Sequence, residues 1–180
     1  MKFHNRPNEL VKTSDGRSLW ISRSVAVAVC VILVTKEEAF VLVNQRGPGV
    51  PDYRGYWNMP CGYLDFDETA GEAAIREVWE ECGVDVSSLL PLSKVSYFDE
   101  PWSVASGTAN PKQNVTLHHG LLAYVDDLPA LSPEHNEPNE TSDIRWLPLG
   151  QLDSLEFAFN HVSRIEQFVE HVRSTVGIEL

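Results

Sequence analysis

Residues 62–84 read GYLDFDETAGEAAIREVWEECGV. The second half of this stretch predicts a helix from about Thr69 to Cys82, stopped by Gly83. Residues three and four apart on a helix are neighbours, so Glu77, Glu80 and Glu81 share one face. Like charges at that spacing cost a few tenths of a kcal/mol per pair, roughly what a good pair contributes. Arg76 stands four residues from both Glu72 and Glu80 and can bridge them, whereas Glu77 and Glu81 have no such partner within the helix. At about 100° per residue, Ile75, Val78, Trp79 and Cys82 fall on the far side, and the small Ala70, Ala73 and Ala74 lie on the acidic side. The helix has an apolar back and an acidic front kept clear of bulk. A hard divalent cation such as magnesium needs carboxylate oxygens of this kind, together with substrate phosphates.

The rest of the chain sets the frame. At 180 residues one domain is expected, with a core large enough to need no staples. Apolar residues make up 43% and charged residues 22%, ordinary for a globular protein. The longest apolar run, 25–34, suits a buried strand and is too short to span a membrane. The N-terminal MKFHNRPNEL lacks the apolar core of a secretion signal. Cys30, Cys61 and Cys82 are odd in number and widely spaced, which argues against a disulfide framework or zinc site. A cytoplasmic setting is the simplest expectation. The net charge of −12 repels nucleic-acid backbones and anionic membranes, so neither is an expected partner. A small phosphorylated ligand stays compatible, because metal ions offset local repulsion.

Outward from the helix, residues 10–22 predict a hairpin turning at Ser14-Asp15-Gly16. Residues 24–34 are β-branched and continuous, the pattern of a central strand buried on both faces. Residues 39–46, 94–100, 114–125 and 144–149 predict further strands, and 47–57 is a Gly/Pro-rich loop. Residues 101–113 and 131–143 predict long polar loops, of the length that tends to carry function. A C-terminal helix is expected over 155–176. Together these elements predict an α/β sandwich around a mixed β-sheet.

Residues 62–84 resemble the signature of the Nudix hydrolases at nine constrained positions: Gly62, Glu68, Arg76, Glu77, Val78, Glu80, Glu81, Gly83 and Val84. Flanking segments VLVNQRG, YWNMPCG and IRWLPLGQL resemble the family more weakly, so the likeness covers most of residues 24–155. The resemblance implies an α/β/α sandwich and hydrolysis of a nucleoside diphosphate linked to another group, with Mg2+ or Mn2+ as cofactor. It implies that Glu77 and Glu81 are the main metal ligands. Glu80 would be a further ligand or the base, and the turn at Gly62 would offer a main-chain carbonyl. Arg76 would orient the carboxylates, and Glu68 would hold the loop through Arg76 or backbone N–H groups. Relatives often have glycine or alanine where Cys61 stands, so Cys61 is expected to be a small packed residue.

An external base is expected before the last strand: Glu140 first, with Glu137 and Asp143 as rivals. Arg46 resembles a phosphate-contacting arginine. Tyr53, Tyr56, Trp57 and Trp102 are candidates to stack on a base, Trp102 being taken as the substrate-binding one, against a bland role in core or rim. His118 and His119 should face opposite ways, and one could reach the cleft. Zinc-binding cysteines of the NADH-pyrophosphatase type are absent. After Trp146 there is room for little more than one helix, which argues against an added DNA-binding domain. Pro101 falls one residue from the place where the ADP-ribose group carries a proline. ADP-ribose or a nucleotide sugar is therefore the favoured substrate class, with nucleoside triphosphates as the alternative. A non-catalytic nucleotide-binding regulator is the alternative of another class. The N-terminal hairpin is a surface a homodimer could use.

Overall fold

The computed structural model describes residues 9–21, 25–65, 67–106, 115–132, 139–178 and 180. Its centre is β3 (Val25–Val34), buried from Ala26 to Leu33. One edge of β3 pairs in parallel along its whole length with β9 (Val115–Tyr124). The other edge is shared. Ile32–Val34 pair with β4 (Ala39–Arg46), while Ala26–Ala28 pair with β6 (Cys61–Tyr63). β4 leaves β3 and pairs with β5 (Trp57–Asn58) and, on its far edge, with β10 (Thr141–Pro148). β7 (Ser93–Ser96) and β8 (Ser103–Ser106) pair with β9 and complete a mixed sheet of eight strands. The N-terminal hairpin, β1 (Glu9–Lys12) and β2 (Ser18–Ile21), forms a sheet of its own, with Gly16 at positive φ in its turn.

Side chains alternate along these strands and fill two cores. On one face Ala28, Cys30, Ile32, Val41, Val43 and Leu122 meet Ile165, Phe168 and Val172 of α2 (His161–Val176). On the other, Val29, Val31, Leu33 and Leu121 meet Ala74, Val78 and Cys82 of α1 (Ala70–Cys82). The α/β sandwich expected from the sequence is the fold observed. Ala74 therefore belongs to the buried face of α1, not to its acidic front, and Trp79 is only half-buried.

Several boundaries differ from expectation. The loop expected over 101–113 contains β8, which follows Trp102 N–H donating to the His118 carbonyl at 3.0 Å. The strand expected over 94–100 ends at Ser96, and the last strand begins at Thr141, not Ile144. The C-terminal helix begins at His161, six residues after Leu155. Residues 156–158 instead pair with β5, with Trp57 N–H donating to the Glu156 carbonyl and Ala158 N–H to the Trp57 carbonyl, both at 2.8 Å. Phe159 and Asn160 then take positive φ, a conformation no α-helix continues through.

α2 is fixed by one close approach. A side-chain carbon at Gly120 would stand 2.5 Å from the Phe168 ring, so the ring lies directly on the β9 backbone. Phe168→Ala should cost about 3–5 kcal/mol of stability, seen as a lower urea midpoint; an unchanged midpoint would show that the ring is not part of the core.

Candidate functional site

Both ends of α1 are capped. Thr69 Oγ1 accepts from the Glu72 N–H at 3.2 Å, and the Glu72 carboxylate accepts from the Thr69 N–H at 2.8 Å. Each half of this reciprocal cap satisfies a helix-end donor, and such caps contribute about 1 kcal/mol. The Glu72 carboxylate is thus turned to Thr69, not to Arg76 as helical spacing suggested. At the other end Gly83 takes φ 65° and donates its N–H to the Trp79 carbonyl at 2.8 Å.

Between the caps, Arg76 is buried and uses all five of its N–H groups. Nε and Nη2 hold both oxygens of Glu68 at 3.0 and 2.7 Å, and Nη2 also donates to the Tyr63 carbonyl at 2.8 Å. Nη1 donates to Glu77 Oε1 at 2.6 Å and to Glu80 Oε2 at 2.9 Å. Glu77 therefore does have a partner in the helix, its own neighbour. Glu68 Oε1 also accepts from the Asp65 N–H at 2.7 Å, which ties residues 63–68 to α1.

Glu81 lies beyond this fork. Its Oε2 accepts from the Cys61 N–H at 2.9 Å. Burial raises Glu77 to about 7, against the pull of Arg76 and with the help of Glu80 and Glu68. Burial also holds Glu81 well above the usual carboxylate range, and the Glu77 charge raises it further. The Cys61 N–H and Arg46 pull Glu81 down, while Glu140 pushes it up.

Two buried carboxylates with raised proton affinity, side by side, are the chemistry a divalent cation relieves. The backbone makes room for them: a side-chain carbon at Gly62 would overlap the Glu77 carboxylate. Glu77, Glu80 and Glu81 fit a hard cation as carboxylate donors, whereas the Gly62 carbonyl expected beside them faces Val27 in the β3–β6 ladder, between the Val29–Pro60 and Val25–Leu64 bonds. Among the described residues no three acidic, histidine or cysteine side chains stand already gathered for an ion, because Glu77 and Glu80 are turned to Arg76.

Residues 24–171 match the family model described as the NUDIX domain. The chain belongs to the Nudix family. A relative named MutT4 from Mycobacterium tuberculosis is 35% identical over 108 residues, which are 59% of this chain and 39% of that protein. The chain thus spans well under half the length of that relative. Among solved structures, the Nudix domain of Shewanella oneidensis NrtR, complexed with ADP ribose, superposes with a TM-score of 0.63 at 19% identity, covering 84% of this chain and 90% of that one. A bifunctional NMN adenylyltransferase/ADP ribose pyrophosphatase from Francisella tularensis, complexed with AMP and manganese, gives 0.60 at 22% identity, covering 82% and 41%. Both show the shared Nudix fold.

The other expected residues divide around the Nudix box. Arg46 sits within electrostatic reach of Glu81, but its guanidinium is held by Asp52, at 2.7 Å to the carboxylate and 3.2 Å to the carbonyl. Glu140 is exposed, and its carbonyl accepts from the Gly47 N–H at 2.7 Å. Of its rivals, Asp143 is paired with Arg145 at 2.7 Å, and Glu137 lies outside the described residues. Trp102 rests on His118, Phe168 and His171, none of them a box residue. Trp57 is buried in the core beneath the Arg145 guanidinium. His118 and His119 do face opposite ways, one toward Trp102 and the other toward Phe98. Cys61 is packed, with its Sγ 3.3 Å from Asn58 Nδ2.

His161 was missed by sequence reasoning. Its Nδ1 accepts from the Met59 N–H at 3.0 Å, and burial, with His118 and Arg46 nearby, lowers it to about 3. It therefore stays neutral and pins α2 to the segment between β5 and β6 that leads into the box. The only signal was its place at the start of an apolar helical stripe.

The raised Glu77 has a consequence for stability. Its folded pKa of about 7 exceeds the usual 4.5, so the folded chain holds more protons between those values. Stability then falls as pH rises across that window. In EDTA the melting temperature should drop from pH 5 to pH 7, and Glu77→Gln should flatten the slope. An equal slope in the variant would remove Glu77 as its source.

Proposed function

We propose that this Nudix domain hydrolyses the diphosphate bond of a nucleoside diphosphate joined to another group, with Mg2+ or Mn2+ as cofactor. The observation that carries this reading is the single guanidinium of Arg76, which gathers Glu68, Glu77 and Glu80 beside Glu81 and the open backbone of Gly62. The bound cation would neutralise phosphate charge and lower the pKa of a water. Glu77 and Glu81 would hold it, with Glu80 and a main-chain carbonyl of the turn at Gly62 completing the donor set. Arg76 acts through these carboxylates by fixing their orientation. Glu140, whose charge reaches Glu81, is the favoured base for the water's proton; Glu80, 39% exposed at its side chain, is the rival.

ADP-ribose or a nucleotide sugar is the substrate class we favour. Pro101 lies one residue from the place the ADP-ribose group would give it, and the solved structures named above were complexed with ADP ribose or with AMP and manganese. The net charge of −12 argues against a polymeric nucleic acid as partner. No helix among the described residues is long and apolar enough to cross a membrane.

The test is magnesium-dependent hydrolysis of ADP-ribose, other nucleotide sugars, dinucleotides and nucleoside triphosphates, with Glu81→Gln as control. AMP should be released from ADP-ribose, and the variant should lose more than about a hundredfold in kcat/KM. Pyrophosphate released from a triphosphate would keep the mechanism and replace the substrate. Nucleotide binding without turnover on the whole panel would make the domain a regulator, and near-normal Glu81→Gln activity would overturn the role of Glu81.

A further inference from the structure

Among the described residues, the non-glycine positions with positive φ are Tyr53 (49°), Phe159 (56°) and Asn160 (60°). All three lie at one place, although Tyr53 and Phe159 are far apart in sequence. Their rings meet with centroids 4.8 Å apart at 62°, and Tyr56 meets Tyr53 at 5.7 Å and 80°. Bulky side chains rarely adopt positive φ, and such strain persists only where the surroundings enforce it.

Arg46 is what enforces it. Its N–H donates to the Tyr56 carbonyl at 2.9 Å, and its carbonyl accepts from the Gly55 N–H at 2.8 Å. Its guanidinium grips Asp52 and lies over the Phe159 ring at 4.7 Å. One residue thus closes the 47–56 loop and seats the Phe159 ring, on which Tyr53 packs. Phe159 also meets the His161 ring at 5.5 Å, and His161 Nδ1 accepts from the N–H of Met59, two residues before the Cys61 whose N–H bonds Glu81. The rings therefore stand at the rim of the box.

This arrangement does not bury the rings. Tyr53, Tyr56 and Phe159 remain 48%, 37% and 39% exposed. A core contact would cover them, and a surface without function would not hold two of them in strained backbone. Arg46 covers one face of Phe159, and the exposed remainder of the ring pair suits a flat, uncharged π-system. We propose that Tyr53 and Phe159 form a platform on which the nucleobase of the substrate stacks, with Arg46 as the positioning residue that links this platform to the phosphate end of the site. The assignment deepens the nucleoside diphosphate reading and rests on it. It transfers the base contact from Trp102, whose ring lies on α2 and β9, to the loop after β4 and the turn before α2.

Calorimetric titration with Mg2+ present tests it without turnover. AMP, GMP, CMP and UMP are compared with ribose 5-phosphate, which carries the phosphate and sugar but no base. At least one nucleotide should bind about tenfold more tightly than ribose 5-phosphate. Tyr53→Ala and Phe159→Ala should each lose that advantage, and Tyr53→Phe should keep it. No preference for any base in the unsubstituted protein would overturn the platform, and that comparison needs no variant to fold. Full preference in both alanine variants would overturn it as well. Base preference without hydrolysis of any diphosphate would sink the hydrolase reading and leave the platform standing; hydrolysis without base preference would do the reverse.

Discussion

One buried guanidinium organises the acidic side of this molecule. Without Arg76, Glu68, Glu77 and Glu80 would be like charges crowded near one helix face. A buried carboxylate that loses its partner costs about 3–5 kcal/mol. With Arg76 in place, each of its five N–H groups has a named acceptor, four on carboxylates and one on the Tyr63 carbonyl. Lysine could not reproduce this, since an ammonium offers three donors and no planar fork. The arginine also fixes chain path: Glu68 and the Tyr63 carbonyl draw the 63–68 segment onto α1, and the Thr69 cap starts the helix from there.

The sheet supplies the complement. β3 cannot pair with β4 along its whole length, because β4 diverges from it to pair with β5. The gap is filled by residues 57–63, whose last three residues pair in register with Ala26–Ala28. That wedge brings Cys61 N–H to Glu81 and the bare backbone of Gly62 to Glu77. Helix and wedge are mutually dependent: the wedge needs a partner with acceptors at its exposed amides, and the helix needs a backbone without side chains against its carboxylates.

Much of this was legible in the sequence because it is local. The continuous β-branched run gave the buried strand at 25–34, and Gly83 gave the helix end. The acidic face at Glu77, Glu80 and Glu81 followed from helical spacing alone. What failed was non-local. The ends of β7, β8, β10 and α2 are set by pairing with distant segments, such as Trp57 with Glu156 and Ala158, which no window of sequence contains. The Arg76–Glu77 pair was missed because a rule about residues three and four apart ignores a neighbour that turns back. The reciprocal cap of Thr69 and Glu72 was readable from its spacing and outcompeted the bridge expected for Glu72. Ala74 was misplaced because an α1 packed flat on a sheet buries a wider stripe than the bulky residues mark out.

The departures from ordinary local rules are not scattered. Cys61, Ala28 and His118 lie in one row across the sheet, since Ala28 faces Cys61 on one edge of β3 and His118 on the other. His118 Nδ1 is buried without a partner, as is the indole Nε1 of Trp102, while the Trp102 backbone N–H donates to the His118 carbonyl. Beside Cys61, Asn44 and Asn58 face each other across β4 and β5 with their side-chain carbonyls likewise unpartnered. The raised carboxylates stand against this row, and the strained rings of Tyr53 and Phe159 border it through Arg46. A fold selected for stability alone would pair or remove such groups, because each costs free energy where it is. Their concentration at one end of a sheet that is otherwise regular apolar packing supports the proposed site independently of any motif. The Nudix box and the breakdown of local consistency point to the same place, and the second of these is a physical reason to treat that place as functional.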